Sequence, residues 1–160
     1  MSDHVAAKVL HAGEGKKIAV MGDMYTFLAE GEDTSRSYAL WEALVPPGGG
    51  PPPHVQSRED EGFYILEGEM TFVADGKKVV AQKGAFLNIP RGVLHTFKNE
   101  SQADARMLIL VAPAGMEKMF EEMGTIVTDP TAKPSPPTPQ EMERAAEVAP
   151  KYGVEIRPNG

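Results

Sequence analysis

Four side chains in two short segments of this 160-residue chain have the types and spacing of a metal site. His54 and Gln56 are two residues apart, so on a β-strand both point to one face. On a β-strand, Glu61 and His95 would each point to the same face as apolar neighbours. A polar group on such a face is destabilising unless it is paired or binds a metal. If these faces line one interior, two imidazoles, one amide oxygen and one carboxylate converge. That set suits a divalent first-row transition metal with open coordination positions.

A structural explanation competes with this one. Taken singly, each of the four residues is more often a satisfied or paired core residue than a metal ligand. They fall, however, in two segments that glycines punctuate, residues 48–68 and 84–99. This grouping favours a shared site over four independent core residues.

The amino-acid composition excludes several classes of site and partner. The chain has no cysteine and four histidines, which excludes disulfides, thiolate zinc sites and cysteine nucleophiles. Any metal must therefore be held by nitrogen and oxygen ligands. A net charge of -7 without a basic stripe argues against nucleic-acid binding. There is no apolar run of the roughly 18 residues that a membrane span needs, and no signal-peptide pattern at the start, so we expect a cytoplasmic protein and no membrane partner.

Short strands must position these residues. The chain has 16 glycines and 14 prolines, and strand-like segments follow one another from about residue 17 to residue 112. Turn signals separate them at residues 67–69, 75–76, 83–84 and 90–92. Turns at this spacing between short strands are typical of an antiparallel sandwich or barrel, so we predict an all-β fold.

Helices are predicted only near the C-terminus. One short helical face is formed by apolar residues spaced i, i+3, i+4 and i+7, namely Met116, Met119, Phe120 and Met123. Thr138 and Glu141 flank Pro139 in the pattern of a capping box, which predicts a second helix ending near Ala149. The expected division is an N-terminal arm over 1–16, a barrel over 17–112, and over 113–160 a helical extension with a proline-rich connector.

The two glycine-punctuated segments resemble the two cupin motifs, G-x5-H-x-H-x4-E-x6-G and G-x5-P-x-G-x2-H-x3-N. The second motif is matched at every defined position: Gly84, Pro90, Gly92, His95 and Asn99. The first is matched at Gly48, His54, Glu61 and Gly68, with Gln56 where the family usually has a second histidine. The resemblance implies a cupin double-stranded β-helix, which is a jelly-roll barrel.

The cupin resemblance also implies roles for the four residues. His54, Glu61 and His95 would be metal ligands, with Gln56 as the fourth, while Asn99 would close a turn. Because an amide oxygen is a weaker donor than an imidazole, we expect a weaker or more selective site. Iron, manganese, nickel and zinc all stay open as the divalent metal. The alternative is a cupin that has lost its metal.

Residues 45–54, 59–68, 89–95 and 113–116 are similar to small bacterial monocupins related to quercetin 2,3-dioxygenase. That likeness implies a dioxygenase that cleaves a flavonol-like or other enolisable small molecule, with Glu61 as the base. Two alternatives stay open: a cupin that binds a small molecule without catalysis, and a metal-dependent sugar isomerase or epimerase.

Two further expectations concern the pocket and the assembly. Aromatic and methionine side chains either line an aromatic pocket or fill the barrel: Phe63, Met70, Phe72, Phe97, Met116 and Met119. Cupins commonly form homodimers, so we expect one here. The segment over residues 17–29 would either pair with the partner's sheet or cover its own.

Overall fold

The computed structural model describes residues 4–159, which form twelve strands and two α-helices. The strands are β1 (Lys16–Val20), β2 (Asp23–Ala29), β3 (Ala39–Val45), β4 (His54–Gln56), β5 (Asp60–Glu67), β6 (Glu69–Ala74), β7 (Lys77–Gln82), β8 (Phe86–Ile89), β9 (His95–Lys98), β10 (Ala105–Ala112), β11 (Thr125–Val127) and β12 (Val154–Ile156). The helices are α1 (Met116–Met123) and α2 (Pro139–Val148), and a 3₁₀ turn follows at Ala149–Tyr152.

The strands form two antiparallel sheets. Seven strands lie in the order β11-β1-β2-β3-β10-β5-β8, and five lie in the order β12-β4-β9-β6-β7. Burial alternates along β3 and β10, so every second side chain enters the space between the sheets. The predicted all-β jelly roll is therefore confirmed. The candidate site draws residues from both sheets.

A glycine in the loop before β4 brings that strand against β9. Gly50 has a φ of 137°, and a Cβ built on it would lie 2.0 Å from the carbonyl oxygen of Phe97. Only glycine permits so close an approach. Asn99, as predicted, closes the turn that follows β9: its amide donates to the carbonyls of Val45 and Ala103. These contacts fix the neighbourhood of β4 and β9.

Both predicted helices are present. In α1 the three methionines of the apolar stripe are buried and Phe120 is partly buried, and the helix ends at Gly124, whose N–H donates to the Phe120 carbonyl. In α2, Thr138 and Glu141 form the expected capping box around a proline at the first turn. Packed against each other, α1 and α2 cover one end of the barrel.

Two of the strands, β11 and β12, were not predicted from the sequence. Each has three residues and joins a sheet through a distant strand: β11 pairs with β1, and β12 pairs with β4. Segments this short carry no periodic signal, so only the tertiary fold creates them. Residues assigned to the C-terminal extension thus extend both sheets. The three-part division of the chain stays a prediction, and its first three residues and last residue lie outside the described part.

Strand β1 is paired on both sides within the chain, with β2 and with β11. Of the two expectations for residues 17–29, the structure shows the intramolecular one. The homodimer and the cytoplasmic location stay predictions. Within the described part of the chain, no helix has the length and apolar character needed to cross a membrane.

Candidate metal centre

The strand pairing brings three of the four predicted residues together. His54 on β4 lies directly opposite His95 on β9, and their ring centroids are 4.4 Å apart. Glu61 enters from β5 of the other sheet. One ligand atom from each residue lies within 4.8 Å of the other two. We call these three residues the ligand cluster.

Backbone carbonyls orient both imidazoles in the same way. Nδ1 of His54 lies 2.9 Å from the Pro52 carbonyl oxygen, and Nδ1 of His95 lies 3.0 Å from the Val93 carbonyl oxygen. Because a carbonyl oxygen can only accept, Nδ1 carries the hydrogen in each ring. Each Nε2 is then free to offer a lone pair. This arrangement, a ring held by its other nitrogen, is usual for metal-binding histidines.

The contact between His95 and Glu61 requires an additional positive charge. His95 Nε2 lies 3.0 Å from Glu61 Oε1, and both side chains are buried. A neutral His95 protonated at Nδ1 has no hydrogen on Nε2 to share with the carboxylate. Both atoms are then hydrogen-bond acceptors, so either a proton or a metal ion must lie between His95 Nε2 and Glu61 Oε1.

The pKa values of the two histidines shift in opposite directions. Burial alone lowers the pKa of His95, but its hydrogen bond to Glu61 and the charge of that carboxylate outweigh burial and raise it. Burial lowers the pKa of His54, and the neighbouring His95 lowers it further. His54 is thus held in the neutral form that binds metals.

Gln56 lies in the same cavity as His54 and Glu61, and it is buried. Its amide nitrogen is 3.3 Å from the thioether sulfur of Met116 and donates to it. The amide oxygen is therefore the atom that Gln56 has to offer a metal. Two imidazoles, a carboxylate and an amide oxygen fit a divalent transition metal, and all four donors are of the nitrogen and oxygen type that the composition requires. Coordination by Gln56 stays a prediction.

Two members of the ligand cluster, His54 and Glu61, line a cavity of about 70 Å³. Its walls are largely apolar, and α1 together with β12 forms much of the cover. Three of the predicted pocket residues line it: Phe97, Met116 and Met119. The other three pack in the hydrophobic core: Phe63, Met70 and Phe72. Phe97, Met116 and Met119 belong to the hydrophobic core as well, so the barrel-filling expectation holds for all six side chains and the pocket expectation for three.

Two polar residues that line this cavity were not among the site residues predicted from the sequence. Asp23 and Trp41 are both 1% exposed, and burial raises the pKa of Asp23 to about 8. On β2, Asp23 has the same parity as Tyr25 and Phe27, so it stands in an apolar row as Glu61 does. That signal was available in the sequence, but no motif marked it.

The geometry agrees with comparisons to known proteins. The family model described as "Cupin domain" matches residues 41–111. The chain is 26% identical over 124 residues, 78% of its length, to quercetin 2,3-dioxygenase of Bacillus subtilis, and 28% identical over 144 residues, 85% of its length, to quercetin 2,3-dioxygenase of Aspergillus japonicus. The matched parts cover only 36% and 41% of those two proteins.

Among solved structures, a predicted oxalate decarboxylase from Thermotoga maritima superposes with a TM-score of 0.61 at 23% identity. The match covers 66% of this chain and 99% of that one, and it supports the fold. The matched family model, the jelly-roll architecture and the two motifs agree. Residues 41–111 therefore form a cupin domain.

Proposed function

We propose that this protein is a metal-dependent dioxygenase that cleaves an enolisable small molecule, with Glu61 as the base. The observation that carries the proposal is the meeting of His54, Glu61 and His95 beside a largely apolar cavity. Similarity to quercetin 2,3-dioxygenases supports the reaction class. Because the chain spans less than half of those relatives, their activity enters here as a proposal.

The candidate ligands would be His54, His95 and Glu61, with the amide oxygen of Gln56 as the fourth. A divalent transition metal held there would supply Lewis acidity toward an enol oxygen and a centre at which dioxygen can react. Iron, manganese and nickel suit both tasks, whereas zinc, which has no redox chemistry, suits only the first.

Glu61 is placed to take the enol proton. A carboxylate has two oxygens, so one of them can contact His95 Nε2 or a metal while the other accepts a proton. His95 fixes the orientation of the carboxylate, and the Val93 carbonyl fixes His95 in turn. Such a chain of contacts holds a base at one position, which general base catalysis needs.

The size of the cavity favours a compact substrate. At about 70 Å³ it is smaller than the roughly 150 Å³ of a protein cavity that binds benzene. A one-ring enol or a diketone therefore fits this site better than a three-ring flavonol, and even it requires part of the cover to move. Methionine suits a movable cover because its side chain is flexible, and Met116, Met119 and Met123 line the cavity.

Oxygen uptake tests the proposal. Protein reconstituted separately with iron, manganese, nickel and zinc is mixed with a panel of diketones, hydroxypyranones and flavonols. We expect uptake with at least one compact enol and a redox-active metal, and none with zinc. Saturable binding without turnover on any metal would overturn the proposal in favour of a binding cupin. Anaerobic interconversion of a sugar would overturn it in favour of an isomerase.

A further inference from the structure

Two residues that line the cavity each have a buried polar atom without a hydrogen-bond partner in the protein. These atoms are Oδ1 of Asp23 and Nε1 of Trp41. Among the described residues, the only other buried side-chain atom in this condition is Oε2 of Glu59, which does not line the cavity. A buried polar group without a partner destabilises the folded protein. Two such groups in one apolar cavity therefore call for an explanation.

The fold satisfies comparable groups elsewhere. Glu117 is buried, and its two carboxylate oxygens accept from the backbone N–H groups of Gly31 and Gly115, each at 2.6 Å. Buried Asn99 uses both its amide nitrogen and its amide oxygen. Asp23 and Trp41 belong neither to such a network nor to the ligand cluster.

Packing keeps both groups at the cavity wall. Trp41 on β3 pairs with Ile109, which also lines the cavity, and its ring lies 5.8 Å from that of Tyr25. Asp23 Oδ1 lies against the loop that leads to His54: a Cβ built on Gly49 would be 2.9 Å from it. Both residues therefore line the same apolar cavity as His54 and Glu61.

We propose that Asp23 and Trp41 form a polar subsite that binds hydroxyl groups of the substrate. A hydroxyl can donate to a carboxylate or accept from a carboxylic acid, so it suits Asp23 in either protonation state. An indole N–H only donates, and a hydroxyl oxygen can accept from it. The inference, which rests on the proposed function for the enol end, names the substrate class: an enol that carries at least one further hydroxyl.

Such a subsite would act on specificity. A site that is built to hydrogen-bond a hydroxyl rejects the analogue that lacks it, because its own polar groups are then left unpaired. The hydroxylated compound also displaces any water bound to these groups and replaces its hydrogen bonds. We therefore expect discrimination in binding, before any chemistry takes place.

Kojic acid and allomaltol form a matched pair of probes. Both are one-ring hydroxypyranones with the same enol, and kojic acid has a hydroxymethyl group where allomaltol has a methyl group. Calorimetry on the zinc-loaded protein, which does not turn over, should show that kojic acid binds about 10-fold tighter, since a hydrogen bond contributes about 1 kcal/mol and one to a charged group more.

The single tryptophan gives a second, direct signal. With one tryptophan in the chain, the protein has one indole N–H resonance, which belongs to Trp41. Kojic acid should shift it downfield by accepting a hydrogen bond, and allomaltol should shift it less. Equal affinity for the two probes, or no binding of either, would overturn the inference, as would an indole resonance that does not respond to kojic acid.

Substitutions test whether the preference for kojic acid arises at Asp23 and Trp41. Asp23→Leu and Trp41→Phe should each reduce the preference for kojic acid, while Tyr64→Phe, on the exposed outer face of β5, should keep it. The two proposals fail separately. If the hydroxyl preference is present without oxygen uptake on any metal, only the dioxygenase fails. If oxygen is consumed with no preference between hydroxylated and plain enols, only the subsite fails.

Discussion

Two groups of polar residues contribute side chains to the wall of one apolar cavity, and they differ in whether the protein satisfies their hydrogen bonds. In the ligand cluster, both histidines are held by backbone carbonyls and Glu61 contacts His95. At the subsite, Asp23 Oδ1 and Trp41 Nε1 have no partner in the protein. The difference suggests two tasks. A metal site must hold its ligands rigidly before the ion arrives, whereas a substrate subsite must keep its polar groups free.

Replacing Glu61, the proposed base, should give the largest effect on turnover. If it did not, the separate roles assigned to the ligand cluster and the subsite would fail. Glu61→Gln keeps an oxygen donor but cannot accept a proton, so turnover should fall by about 10²- to 10⁴-fold. Oxygen uptake per bound metal measures this loss. Glu67→Gln, at the exposed end of the same strand, is the control and should keep full turnover. Unchanged turnover in Glu61→Gln would remove Glu61 as the base.

Removing one imidazole should weaken metal binding. Outer contacts to metal ligands are already worth about 10- to 100-fold in affinity, so the loss of a ligand in His95→Ala should cost 100-fold or more. Competition with a chelator of known affinity measures this. His11→Ala removes an exposed histidine and should change nothing. If both variants bind metal as tightly as the wild type, the ligand cluster is not the site.

The subsite should reveal itself through the pH dependence of stability. Because the pKa of Asp23 rises from 3.8 to about 8 on folding, the folded state favours the neutral acid. Its stabilising contribution is complete below pH 4 and is lost as the pH rises toward 8. Asp23→Asn is neutral throughout, so at pH 8 its Tm should exceed that of the wild type by at least about 5 °C.

Thermal unfolding of metal-free protein between pH 4 and pH 8 checks this prediction. The difference between Asp23→Asn and the wild type should shrink steadily toward pH 4. Asp104→Asn, which changes an exposed aspartate, should follow the wild type at every pH. A constant difference across the range would mean that Asp23 does not titrate on unfolding in this window.

The smallest expected effect concerns Gln56. Imidazole is a stronger donor than an amide oxygen, so Gln56→His should tighten metal binding by about 10-fold. The same chelator competition measures this gain. Gln82→His on exposed β7 adds a histidine elsewhere and serves as the control. A decrease in affinity with Gln56→His would show that the native amide is the better partner for this metal.

The sequence allowed much of this structure to be predicted, for identifiable reasons. Alternation and turn residues specify most strands locally, and the spacing within the two motifs predicts which side chains meet. By contrast, β11 and β12 form only because they pair with strands that are distant in the sequence. The subsite escaped prediction for a related reason. Trp41 in an apolar strand looks like core, and only the folded barrel shows that its N–H is unpaired.

Metal content tests the central claim most directly. Protein purified without chelators should contain about one equivalent of a divalent transition metal per chain by mass spectrometry of the digested sample. His54→Ala and His95→Ala, purified in the same way, should contain almost none, while His11→Ala should match the wild type. A wild-type protein without metal that gains it only on Gln56→His would contradict the claim, because the native residues would then not suffice to bind it.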